Sequence, residues 1–434
     1  MENKRKKVLG SLQPDVEDIL HWNDLPENAF EPATTQEKES FIQDRKSVSY
    51  WKDAWRRLRH NKVAMVAMVI VILIGLFAFV GPLLVPYSYD QVIPGANNIH
   101  PWHYSLEDQE KLAEAQMTPD EAVEAARAEA AAEGRELSRV EEATIRAQAK
   151  TSGASTDVNE LRKELGIKAK PFGYTNDELE RIANGESVFP HVFGCDTQGR
   201  DIMVRTMIGA RVSMIVGICC AIIVLIIGAI YGSISGYFGG KVDAVMQRIV
   251  EIIYTIPEVL IILLLGATLK PLFEDFQNSG DGPLQELVTV LGPNLISIFI
   301  AFGLLYWVTM SRIIRGQILQ LKQQEYVTAA RALGAKGGRI IKRHLLPNCV
   351  GQIVTTTFLQ IPSAIFTESF LSFLGMGVSA PMTSLGSMCS DALKGLTSYP
   401  YRLFIPAAIL SVMILCLNLF GDGLRDALDP RLKK

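Results

Sequence analysis

Few residues in this chain of 434 are placed to do chemistry, and most of those are carboxylates set in apolar text. Glu251 and Glu258 interrupt one hydrophobic stretch seven positions apart, so on an unbroken helix they share a face. Either could line a path for a polar solute, while Glu251 could equally snorkel from a helix end. Glu368 follows another apolar block and either fixes a loop or touches a translocated solute. The text GAKGG at Gly334–Gly338 lacks the hydroxyl residue after lysine and the preceding strand that a phosphate-cradling loop needs. His100 and His103 form an H-x-x-H between prolines and tryptophan, where no metal is expected. Cys219, Cys220 and Cys416 lie in apolar blocks, Cys349 at a block edge, and Cys195 and Cys389 in polar connections. All six are expected to be unpaired thiols without metal-ligand spacing. No nucleophile stands with a base, so the chain is expected to be no enzyme, and the energy for any work comes from a partner or an ion gradient.

The elements that must position these residues are hydrophobic spans. The chain is 48% hydrophobic and 21% charged, with the apolar residues gathered into blocks, which excludes a single soluble globule. Six blocks approach or exceed the roughly 18 to 20 residues that cross ~30 Å of hydrocarbon as a helix. They run over Val63–Tyr89, Val212–Gly240, Ile249–Leu269, Leu287–Ser311, Leu345–Thr367 and Leu403–Gly421. The expected fold is an all-α polytopic membrane protein with six transmembrane helices. With 43 basic against 46 acidic residues, nothing favours a nucleic-acid partner.

Charge near the span ends sets the orientation. Residues 50–62 hold five basic residues and one acid, and residues 312–344 hold eight and one, so both belong in the cytoplasm. Six spans then put both termini there, including residues 427–434. Residues 1–48 read as a flexible polar tail. In residues 49–62, Trp51, Trp55 and Leu58 recur on one helical face among basic residues, either as an interfacial amphipathic helix or as a plain basic juxtamembrane run.

The connection over residues 90–208 falls outside the membrane and has a helical grammar of its own. Ser105, Thr118, Ser138 and Thr175 each precede an acid three positions on, Pro119 suits a first helical position, and Gly166 and Gly185 suit helix stops. Residues 101–190 carry 19 acids and 11 bases. A small helical subdomain is expected over about 101–185, a flexible acidic insertion being the alternative.

Gly228, Gly232, Gly236 and Gly240 recur every fourth residue and should give the second span a smooth packing face. Pro257 should kink the third, with Thr255 satisfying a freed carbonyl. Between the fourth and fifth, Tyr326, Ala329, Ala330 and Leu333 share one face of a short helix that Gly334 can end in the left-handed conformation. Such a helix suits either a groove on a soluble partner or the membrane interface.

Resemblance separates those readings. The segment Glu325-Tyr-Val-Thr-Ala-Ala-Arg-Ala-Leu-Gly334, with His344-Leu-Leu-Pro347-Asn348 beyond it, resembles the EAA loop of ABC importer permeases. Residues 193–213 (FGCDTQGRDIMVRTMIGARVS), 236–257, 368–381 and 421–431, with DAWRRLRHNK before the first span, resemble the C-type permease of the oligopeptide/dipeptide/nickel family. The match covers about 50–90 and 190–434.

The resemblance implies the type I ABC importer permease fold, with a five-helix core over 209–426 and a coupling loop over 319–348. It implies docking on cytoplasmic ATPases through Glu325, Tyr326, Ala329, Ala330, Leu333, Gly334, His344 and Pro347. It also implies a second, B-type permease, an extracytoplasmic binding protein, and a bacterial or archaeal cell membrane. ATP and Mg would serve the partner ATPases, with no cofactor held by this chain. The family commonly has Thr at the position of Cys195 and Asp at that of Glu251. Its outer loop is usually shorter, so 101–185 inherits no role. Oligopeptides or dipeptides are the expected cargo, nickel or another small solute the alternative. Two other classes compete: an ion-coupled secondary transporter, for which no internal repeat is evident, and a membrane receptor or scaffold, which leaves 325–348 without a purpose.

Overall fold

A computed structural model describes residues 49–116, 123–124, 126–127, 130, 138–153, 158–279, 282, 285–286, 288, 292–378 and 382–428. The expected tail over 1–48, the cap at Thr118 with Pro119, and residues 429–434 lie outside them. Of an N-terminal unit over residues 1–53, the described part is the opening turn of α1 (Tyr50–His60), where the Asp53 N–H donates to Ser49 O at 3.0 Å. Trp51 and Trp55 are exposed. Leu58, expected on the same interfacial face, is instead buried with Ala64 and Ala427.

The first span is α2 (Lys62–Phe79), capped by Asn61, whose side chain accepts from the Ala64 N–H. It ends ten residues earlier than the apolar text suggested, because Pro82 in the first turn of a short α3 (Gly81–Leu84) and Pro86 just beyond it prevent a continuous helix. The connection after α3 then forms a two-stranded ribbon, β1 (Trp102–His103) paired antiparallel with β2 (Lys170–Pro171). Between and after these strands come α4 (Leu106–Gln116), α5 (Arg139–Gly153), α6 (Val158–Glu164) and α7 (Asn176–Ala183). The expected caps form: Ser105 accepts from the Asp108 N–H, and Ser138 with Glu141 and Thr175 with Glu178 make reciprocal boxes. Gly166 and Gly185 take positive φ as stops.

The second span, α8 (Ile202–Phe238), begins ten residues before the expected Val212. Charge hid its start. Arg205 and Arg211 fall inside the helix, and Arg211 donates to Ala78 O and Phe79 O, closing the open carbonyl end of α2. At 37 residues, α8 spans about 55 Å. It is followed by α9 (Gly240–Thr255) and α10 (Glu258–Ser279), which meet at 82° across Ile256 and Pro257. Next come α11 (Pro293–Leu305) and α12 (Trp307–Leu321), one apolar run of 29 residues. The connecting segment holds α13 (Glu325–Ala332), α14 (Gly337–Ile340), a π turn and α15 (Leu346–Asn348), bent 71° onto α16 (Val350–Phe373). The last elements are α17 (Leu385–Ala392) and α18 (Tyr401–Leu428).

Among the described residues, four helices are long and apolar enough to cross a bilayer, and the two bent pairs bring the number to six. Helix α8 is the hub, packing against α2, α11, α12 and α16, while α18 packs on α2 and α16. Val66, Leu73, Ile222, Ile226, Ile230 and Leu415 stay exposed, as lipid-facing side chains must.

Candidate coupling and translocation site

The segment between α12 and α16 is held by its inner face and open on its outer one. Val327 is fully buried in a single apolar cluster with Ile318 of α12, Ile340 and Leu345. Around it, Tyr326 and Ala329 are exposed, Leu333 is 88% exposed, and Ala330 is half-buried. Gly334 stops α13 at φ +83°, with the Ala335 N–H reaching back to Ala330 O, a Schellman closure. Asn348 donates to His344 O at 2.6 Å and to the Tyr326 hydroxyl at 3.3 Å, so the half-buried His344 and the exposed Pro347 are tied to the same short helix. A packed apolar plug therefore joins α13 to the spans.

The glycine ridge meets α12. A Cβ on Gly228 would fall 2.6 Å from Met310 Cβ, one on Gly232 would strike Ser311 O, and one on Gly236 would lie 2.9 Å from Arg315 O. Only hydrogen side chains allow these backbones so close. Gly240 does not belong to the ridge: it opens α9 at φ +54° with open space around it, because α8 has already ended at Gly239. Lys322 at the end of α12 donates to Gly236 O at 2.9 Å, and Arg315 grips Asp243 of α9 through two N–H donors. Arg312 also lies 4.5 Å over the Tyr254 ring, a second tie between α9 and α12.

The carboxylates separate. Glu251 lies on α9 beside Arg248 at 2.7 Å, whereas Glu258 opens α10 beyond the 82° break, so the expected shared face does not exist. Pro257 bends the chain more sharply than a kink, and Thr255 Oγ1 donates to Ile252 O at 2.8 Å as expected. Both acids are exposed. Glu368 is fully buried, accepting from Ser213 at 2.8 Å and Ser372 at 2.7 Å, and lines no open path in this conformation.

At the far end of α8 from the coupling segment stands a cluster that single-sequence spacing did not reveal. His191, Cys195 and Asp201 place their ligand-type atoms within 4.8 Å of one another, the one such group among the described residues. His191 Nδ1–H donates to Asp201 Oδ2 at 2.8 Å, and Nε2 faces Glu178 Oε1 at 3.4 Å. The other Asp201 oxygen accepts from the Val204 N–H as the cap of α8. Ligands of one tetrahedral zinc stand roughly 3.3 Å apart, so the 2.8 Å spacing is that of a hydrogen bond. Burial opposes charge on His191, but Asp201, Cys195 and Glu178 outweigh it and leave its pKa pushed up to about 12. Burial likewise raises Glu178, yet His191 and Thr175 bring it below the usual carboxylate range. Tyr87 stacks on the imidazole at 4.8 Å, its hydroxyl pushed up to about 12 by burial. The local signal that was available is the Asp before an apolar run, a cap that marks the true start of α8.

Residues 228–434 match the family of the binding-protein-dependent transport system inner membrane component, and residues 49–101 match the N-terminal transmembrane domain of oligopeptide transport permease C. The oligopeptide transport system permease protein of Bacillus subtilis is 35% identical over 410 residues, covering 94% of this chain and 99% of that protein. The chain belongs to the oligopeptide/dipeptide permease family of ABC importers. The dipeptide transport system permease protein of the same bacterium is 33% identical over 424 residues, 98% of this chain and 99% of its own length. The oligopeptide permease of Haemophilus influenzae is 43% identical over 262 residues, 60% of this chain and 77% of that protein.

This permease is thus a multi-pass membrane protein whose Glu325–Gly334 motif sits on a helix presented outward. It also ties the long connection between its first two spans to the core more firmly than the motif boundaries suggested. The Tyr401 hydroxyl at the head of α18 donates to Ile99 O at 2.9 Å and to Cys195 O at 3.1 Å, and the Cys195 N–H donates to Ile99 O. All six cysteines are free thiols, and Cys195 is buried within this knot.

Proposed function

We propose that this permease is one of two different transmembrane subunits of a binding-protein-dependent importer, and that it moves oligopeptides or dipeptides by alternating access. The observation that carries the reading is α13, anchored through Val327 in the core of the spans while Tyr326, Ala329 and Leu333 face outward. An apolar face this exposed on a helix so firmly seated fits the groove of a cytoplasmic ATPase. The chain itself then catalyses nothing and holds no cofactor; ATP and Mg act in the partner ATPases. The basic excess in 50–62 and 312–344 supports a cytoplasmic setting for both termini and α13, with the α8 cap on the outer side, where a substrate-binding protein would deliver peptide. Glu251 and Glu258, exposed on either side of the break between α9 and α10, face the translocation path or the second, B-type permease. The setting is the cell membrane of a bacterium or archaeon.

The test is reconstitution of the permease with its partner permease, ATPases and binding protein in proteoliposomes. ATP hydrolysis should rise with loaded binding protein, and labelled peptide should enter. Hydrolysis indifferent to peptide, or uptake of nickel in place of peptide, would refute the substrate assignment.

A further inference from the structure

A cavity of about 360 Å³ opens between the head of α8, the end of α16 and α17, lined among others by Gln198, Arg200, Arg205, Ser372, Ser387 and Asp391. Arg205 is 6% exposed. Among the described residues its guanidinium has only long contacts: Asp196 at 3.5 Å, Asp391 at 3.8 Å and the Thr383 hydroxyl at 3.5 Å. Asp196 is committed elsewhere, accepting from Arg200 Nε at 2.8 Å and from the Gln198 and Arg200 backbone N–H groups. Asp391, 70% exposed, stands at the rim.

A buried guanidinium is costly unless a close, geometrically matched anion answers it, and a carboxylate does so with two parallel hydrogen bonds. Here Arg205 lines a polar cavity instead. Resting on the peptide-import reading, we propose that this cavity is a subsite for the terminal carboxylate of the peptide, with Arg205 as its anchor. Ser387 and Gln198 supply neutral polar walls, and Asp391 competes with the incoming carboxylate for Arg205. The floor connects to the spans: Ser372 lines the cavity and donates to Glu368, which Ser213 of α8 also binds. Occupancy is thereby felt where α8 crosses α16.

The experiment uses the complete reconstituted complex and two probes, trialanine and trialanine amide, and reads the ratio of their uptake. Any preference of the binding protein enters wild type and variants alike and divides out. Arg205→Gln should lower the acid-to-amide ratio roughly tenfold, the scale of one lost charge-assisted hydrogen bond. Asp391→Asn should raise it, because the competing anion is gone, and a merely structural residue would not give that opposite sign. If Arg205→Gln fails to assemble, Asp391→Asn decides alone. An unchanged ratio in every variant that assembles overturns the proposal. So does an equal fall for both probes, which marks instead a docking contact for the binding protein. Absence of trialanine uptake in the wild-type complex is a failure of the import reading, separate from this one.

Discussion

His191 Nδ1 lies 2.8 Å from Asp201 Oδ2, a hydrogen bond that joins the connection between the first two spans to the cap of the longest span. On the other side of the same ring stands Glu178, on a helix of the insertion. Because the folded imidazole is held at about 12 against an ordinary value near 6.5, its contribution to stability is complete below pH 6.5. It is lost progressively as pH rises from there toward about 12. The thermal midpoint of the purified permease should fall between pH 6.5 and pH 9, and the fall should be smaller in His191→Gln. Identical pH profiles for the two proteins would contradict the assignment.

Leu333→Asp tests the outward face of α13. The side chain is exposed, so the folded permease should lose little stability, within about 0.5 kcal/mol. Recovery of the ATPases on affinity purification should nevertheless collapse. Full recovery would show that this face is not the docking surface.

Gly334→Val acts through the backbone. No neighbour lies within 4 Å of an added Cβ, so the penalty comes from φ +83°, about 1–2 kcal/mol for a side chain in that region. Membrane insertion should survive while ATPase association or peptide uptake is lost, because the chain leaving α13 is redirected. Wild-type complex yield together with wild-type uptake would sink the idea.

Gly232→Leu should disrupt assembly, since a side chain there meets the Ser311 carbonyl and forces α8 from α12. Gly240→Asn provides the contrast: its surroundings are open and Asn tolerates positive φ. The expected order in thermal midpoint is wild type close to Gly240→Asn, with Gly232→Leu clearly below both.

The insertion over about 101–185 should contribute to docking of the binding protein through its acidic helices. Replacing it by a short linker should leave the permease and ATPases assembled, weaken docking, and make the residual docking less dependent on salt. The excision also removes Glu178, so the midpoint should drop by the loss of one buried partner of His191. Docking affinity equal with and without the insertion, at low and high salt, would assign it another role.

Much of this molecule is local, and the local part is legible in the chain. Block length decides that helices cross the bilayer. Four-residue glycine spacing decides which side of α8 can touch a neighbour. Ser-x-x-Asp and Thr-x-x-Glu decide where α4 and α7 begin, and the Glu325–Gly334 motif with its glycine stop decides a short presented helix. What local text could not decide is how distant residues neutralise one another. Arg205 and Arg211 read as reasons to start the second span late, yet one is buried beside a cavity and the other closes the carbonyl end of α2. Glu251 and Glu258 read as one face, yet the bend at Ile256–Pro257 sends them onto different helices. Gly240 shares the ridge spacing but falls beyond the helix that carries the ridge. Glu178 reads as a cap partner of Thr175 and nothing in the local text marks His191, until the fold brings both to Asp201. A charge enters a low-dielectric interior only where a partner meets it, and partners far apart in sequence are set side by side by packing alone.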